Sequence, residues 1–191
     1  YDMTPETSVN LEGDRMAKAV LALQEYTGKK FDVIVPIELA GANTPAAMAA
    51  ASKPGLVTVD GDYTGRAIPE IVQITFNYNG HCLTPIASVD EWDNECIIKR
   101  ANNPRTVEHI GKLISVAGYG LAGQAGMALD GKNTRDTVIA GTLSECYEAG
   151  KCMREAKEAG KDVVTELLAK FGGYELGRGT ITVKADYDAA G

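Results

Sequence analysis

Between residues 31 and 59 two short β-branched runs enclose one alanine-rich run, and few architectures accommodate that order. Phe31 to Ile37 (FDVIVPI) reads as a buried strand. Asn43-Thr44-Pro45 then opens an Ala/Met stretch to Ser52, with asparagine at the cap and proline in the first turn of a helix. Pro54-Gly55 ends that helix, and Leu56 to Val59 (LVTV) is a second strand. Strands joined through a helix run parallel, so the chain is expected to be α/β.

The remaining segments extend this reading to a mixed, partly parallel sheet flanked by helices. Met16, Val20, Leu21 and Leu23 recur among charges, which predicts an amphipathic helix over Leu11 to Tyr26, stopped by Gly28. Ile71 to Tyr78 (IVQITFNY) and Leu83 to Val89 read as strands joined by an Asn79-Gly80 hairpin turn. Glu95 to Arg100 is a further strand, and Asn102-Asn103-Pro104 caps a helix to about Val116. Gly118 to Gly131, rich in glycine and alanine, shows no clear period. Thr142-Leu143-Ser144-Glu145 matches a capping box before a helix to about Glu158. Gly160 breaks that helix, Asp162 to Phe171 forms another, and Tyr174 to Tyr187 has β character. The expected organisation is an α/β domain over residues 1–172 and the start of a β-rich second domain over residues 173–191.

Composition narrows the functional classes. Lysine plus arginine number 19 against 26 aspartates and glutamates, so a net charge of −7 opposes nucleic acid and anionic membrane as partners. No apolar run is long enough to span a bilayer, and the polar, acidic start does not resemble a signal peptide, so the expected location is the cytoplasm. Tyr1 in place of methionine reads as a processed or truncated end. Cys82, Cys96, Cys146 and Cys152 lack C-x-x-C spacing and read as free, buried thiols.

Ligands of open α/β sheets bind beyond the carboxyl ends of the strands. Two loops leave that edge here, residues 38–43 and residues 60–70. They bring Glu38, Asn43, Asp60, Asp62, Arg66 and Glu70 toward one cleft, which suits a small-molecule substrate. Each residue has a plainer role available: Asn43 as a helix cap, Asp60 and Asp62 as turn formers around Gly61, and Arg66 as a structural ion-pair partner. The D-x-D pair with Glu70, and His81 as a nitrogen donor, also offer ligands to a divalent cation. His109 reads as a solvated or packed helix residue, and no G-x-S-x-G is present. Gly118, Gly120 and Gly123 have dinucleotide-fingerprint spacing, but no clear strand precedes them.

The run Pro36-Ile37-Glu38-Leu39-Ala40-Gly41-Ala42-Asn43, followed by Val59-Asp60-Gly61-Asp62-Tyr63-Thr64-Gly65-Arg66-Ala67-Ile68-Pro69-Glu70, resembles the S-methyl thiohydantoin desulfurase-like family. That family's N-terminal domain has a P-I-E-x-G-G-x-N loop and then V-D-x-D-x-x-G-R-A-x-P-E. Thr75-Phe76 and Gly141-Thr142-Leu143 match two later elements, and the likeness runs from about Glu25 to Phe171. Ala40 stands where the family pattern has glycine, and the chain is expected to be a fragment lacking most of the C-terminal domain.

The resemblance implies an α/β N-terminal domain, a mainly β C-terminal domain and a site at their junction. It also implies hydrolysis of a hydantoin-like or S-methyl thiohydantoin-like cyclic amide. On that reading Asp60, Asp62 or Glu70 supplies a general base, Arg66 clamps the substrate, and Glu38 and Asn43 bind the ring. The alternative is a non-catalytic small-molecule-binding or subunit-assembly module, with the small residues of 118–128 as a homo-oligomer interface, although close packing in the core is the plainer reading of that stretch.

Overall fold

A computed structural model describes residues 15–183, and they divide into two compact units with the break at residues 146 and 147. The first unit begins with α1 (Arg15–Thr27), followed by β1 (Val33–Ile34), α2 (Asn43–Ser52) and β2 (Val57–Thr58). β1 and β2 pair in parallel, Val33 against Val57 and Ile34 against Thr58, as the strand–helix–strand pattern requires. The start expected for α1 at Leu11 lies outside the described residues.

The chain is α/β, with its strands distributed over three small sheets instead of one mixed sheet. β3 (Gly61–Asp62) pairs antiparallel with β7 (Ile139–Ala140). β4 (Ile86–Asp90) is the middle strand of an antiparallel sheet, between β5 (Glu95–Ile98) and β6 (Ala122–Gly126). All five residues of β4 are buried, because both faces of this sheet are covered. Ala87 and Val89 point to Ala19, Ala22 and Leu23 of α1, while Ile86 joins Phe76, Leu83 and Val107 on the other side. Val107 belongs to α4 (Pro104–Ala117), whose first turn is capped by the Asn103 side chain accepting from the Arg105 amide.

β6 explains the aperiodic glycine and alanine run. A Cβ at Gly123 would stand 2.6 Å from the backbone of Arg15 and Met16, so only glycine lets α1 lie this close to the sheet. Small residues here serve close packing within the unit.

One expected strand and one expected hairpin are corrected. Ile71–Gln73 form a 3-10 turn and Thr75–Tyr78 a single helical turn, α3, in place of a strand over Ile71 to Tyr78. Ile74 and Phe76 are both fully buried, and this i, i+2 pair mimics strand alternation. Thr75 instead donates its amide and hydroxyl to the Tyr63 carbonyl, which holds the segment in a turn. Asn79 and Gly80 close that turn, so no hairpin forms there. The observed hairpin joins β4 to β5, and Asp90 anchors it by accepting from the Trp92 and Asn94 amides.

After β6 come α5 (Gly131–Thr137), β7 and α6 (Thr142–Glu158). In the second unit Gly160 (φ +66°) breaks the helix, and Asp162 caps α7 (Val163–Phe171) by accepting from the Thr165 amide. Residues 174–183, expected to form a strand, have no strand pairing. Arg178 there binds Asp162 and Glu175. Residues 184–187 of that expected strand lie outside the described residues. Among the described cysteines Cys82, Cys96 and Cys146 are exposed and Cys152 is buried, all as free thiols, so burial was expected too widely.

Candidate functional site

The loop after β1 meets the segment after β3, and one side chain joins them. Glu38, 7% exposed, accepts from Asn43 Nδ2 through Oε1 at 2.5 Å and from the Ile68 amide through Oε2 at 2.6 Å. Its own carbonyl accepts from the Thr44 hydroxyl, which also receives the Ala40 amide. The helix-cap reading of Asn43 is corrected by this network. Ala42 occupies the cap position without a side-chain bond, and the Asn43 amide is drawn to the Glu38 carboxylate.

A cavity of about 170 Å³ lies between the loops, lined by Ile37, Glu38, Asn43, Ile68, Pro69, Glu70 and Ile71. Glu70 is presented to it by a segment held at both ends. Glu38 binds the Ile68 amide on one side, and Glu108 Oε2 accepts from the Ile71 amide at 2.9 Å on the other. The Glu70 carboxylate forms a loose ion pair with exposed Arg105, at 3.8 Å. Three of the sequence-derived candidates, Glu38, Asn43 and Glu70, therefore share one cavity wall.

The other three stand elsewhere. Asp62 is fully buried, and four donor groups use its oxygens: the Thr64 and Gly65 amides and the Thr64 and Thr142 hydroxyls. Asp60 is exposed and accepts from the Ser144 amide and hydroxyl at 2.9 and 2.7 Å. Those bonds from Ser144 hold its carboxyl below the usual aspartate range. Asp60 thus supplies the cap of α6 that was expected from Thr142, whose hydroxyl instead donates to Asp62. Arg66 is exposed, and its guanidinium donates to the Ala67 carbonyl rather than to an acid.

No cluster of three or more His, Cys, Asp or Glu side chains suited to a metal ion occurs among the described residues. His81 Nε2 lies 3.2 Å from the Thr137 hydroxyl, and its ring packs on Phe76. Glu108 was missed by sequence reasoning. The available signal was its phase on α4, one residue from buried Val107 and three from buried Gly111.

A second cavity, of about 410 Å³, adjoins the same loops. Tyr63 lines it, and burial pushes that phenol up to about 12, so it stays protonated at neutral pH.

The fold and site define an α/β domain with a small carboxylate-lined cleft between the loop after β1 and the segment after β3. The chain belongs to the S-Me-THD-like family: its N-terminal-domain model matches residues 4–100, and its C-terminal-domain model matches residues 101–190. No curated protein matches the chain. An X-ray crystal structure of a protein from Chromobacterium violaceum shares the fold, with a TM-score of 0.73 at 22% identity. The match covers 83% of this chain and 46% of that one, so the chain spans about half the length of this structural relative. No helix among the described residues is long and apolar enough to cross a membrane.

Proposed function

We propose that this chain carries the ring-binding and proton-accepting part of a hydrolase for small cyclic amides of the S-methyl thiohydantoin class. The observation that carries the reading is Glu70, held toward a cavity that Glu38 and Asn43 also line. Asn43 presents amide groups to ring N–H and C=O positions. Glu70 takes a proton from water as the water oxygen bonds to the ring carbon bearing sulfur. The carbon–sulfur bond then breaks, the thiolate leaves with that proton, the second water proton passes to the ring nitrogen of the former C=N bond, and a ring carbonyl remains. The balance is substrate plus water to hydantoin plus methanethiol. Glu38 is a positioning residue, since it holds Asn43 and the Ile68 amide. The Asp60 and Asp62 carboxylates line neither cavity and are already engaged as acceptors, Asp60 from Ser144 and Asp62 from Thr64, Gly65 and Thr142.

The intact protein is expected to release a thiol from S-methyl thiohydantoin. Glu70→Gln should lower kcat by about 10²–10⁴-fold while leaving the urea midpoint in place. Thiol release at the unaltered rate in that variant would remove Glu70 from the chemistry. No turnover or binding of any cyclic amide by the unaltered protein would overturn the assignment as a whole.

A further inference from the structure

The two cavities share part of their walls. Ile37, Asn43 and Ile71 line both the 170 Å³ and the 410 Å³ space. Their chemistry differs sharply. The smaller is bounded by two carboxylates and a carboxamide, which suit a ring rich in N–H and C=O groups. The larger is walled mainly by apolar side chains, among them Leu23, Phe31, Ile34, Ile86 and Val107.

Room in the larger cavity traces to the alanine-rich run of α2. Ala47 and Ala50 face it at 5% and 2% exposure, and each offers only a methyl group where a longer side chain would fill the space. The charged residues that line it, Glu108 and Lys112, are already paired with each other at 2.8 Å. Gln124 commits its amide nitrogen to the Gly111 carbonyl and the Ser88 hydroxyl. A charged group entering this space would lose water without gaining a fresh counter-ion, whereas an apolar group would gain burial.

Building on the hydrolytic reading above, we propose that the substrate is a five-membered cyclic amide bearing one uncharged apolar substituent, branched or aromatic. The ring occupies the smaller cavity, and the substituent passes Ile37 and Ile71 into the larger. A volume of 410 Å³ lies within the range that encloses small organic groups.

Calorimetric titration of the intact protein with hydantoin, 5-isobutylhydantoin, 5-benzylhydantoin and 5-carboxymethylhydantoin tests this. The isobutyl and benzyl compounds should bind on the order of tenfold or more tighter than hydantoin, and the carboxymethyl compound no tighter. Ala47→Leu should erase the apolar advantage while hydantoin itself still binds. Ala50→Leu fills the same space and replaces Ala47→Leu if that variant fails to fold. Equal affinity across the series would overturn the apolar-substituent assignment and leave the ring site standing. An apolar advantage that both filled variants retain would place the substituent elsewhere and overturn it as well. Binding of none of the four compounds would overturn the ring site together with it.

Discussion

Glu38 and Asp62 are both buried carboxylates in segments that follow the strands of the β1–α2–β2 unit, Glu38 in the loop after β1 and Asp62 at the end of β3, yet they do different work. Asp62 receives four donor groups and contacts neither cavity. Glu38 receives two donors and forms part of a cavity wall. A carboxylate saturated with donors fixes a turn, whereas one with spare acceptor capacity beside open volume can also face a ligand. Both are carboxylates in the two runs that carry the family resemblance. Donor count and adjacent space separate them.

The sharpest way to break this contrast is at Asp62. Asp62→Ala would leave the Thr64 and Gly65 amides and the Thr142 hydroxyl without their acceptor in a buried site. Urea unfolding should show a loss of about 3–5 kcal/mol. A loss near zero, with activity abolished, would transfer Asp62 to the chemical site.

Glu38→Gln is the smaller perturbation. One of its two acceptor contacts becomes an amide nitrogen facing another donor, either Asn43 Nδ2 or the Ile68 amide. Stability should fall by about 1–3 kcal/mol. Hydantoin affinity should weaken with it, since the cavity wall shifts. A variant that loses stability and keeps full affinity would make Glu38 the equivalent of Asp62.

Asp60 gives the mildest test. Its folded-state pKa is lowered by Ser144, so its contribution to stability is full above the ordinary aspartate value near 3.9. That contribution is lost as pH falls through the lowered value. Ser144→Ala should move the Asp60 titration, followed by carboxyl NMR, upward toward the ordinary range. It should still stop short, because backbone amides at 143 and 144 keep donating. No movement would mean that the Ser144 hydroxyl does not hold Asp60.

Much of the fold was legible locally. The β1–α2–β2 unit, the Asn103 cap, the Gly160 break and the Asp162 start each depend on residues within a few positions of one another. What was not legible depended on distant partners. Glu38 reaches the Ile68 amide across 30 positions, and Glu108 reaches the Ile71 amide across 37. Ile74 and Phe76 satisfied an alternating pattern while lying in a turn, because a buried pair two residues apart carries no record of the backbone between them. The candidate site was legible as two loops at one edge. Which of its acids face open space was not, since Ser144 and Thr142 decide that from 80 or more positions downstream.

The Thr142–Asp62 bond also bears on the order in which the chain folds. The turn at Asp62 can form by itself, because Thr64 and Gly65 lie within three positions. The Thr142 hydroxyl arrives only after an 80-residue loop has closed, and closure entropy places such contacts late. A contact made after the rate-limiting barrier restrains escape from the folded state rather than entry into it. Thr142→Val is therefore expected to speed unfolding of the first unit more than it slows folding, which stopped-flow urea kinetics would read.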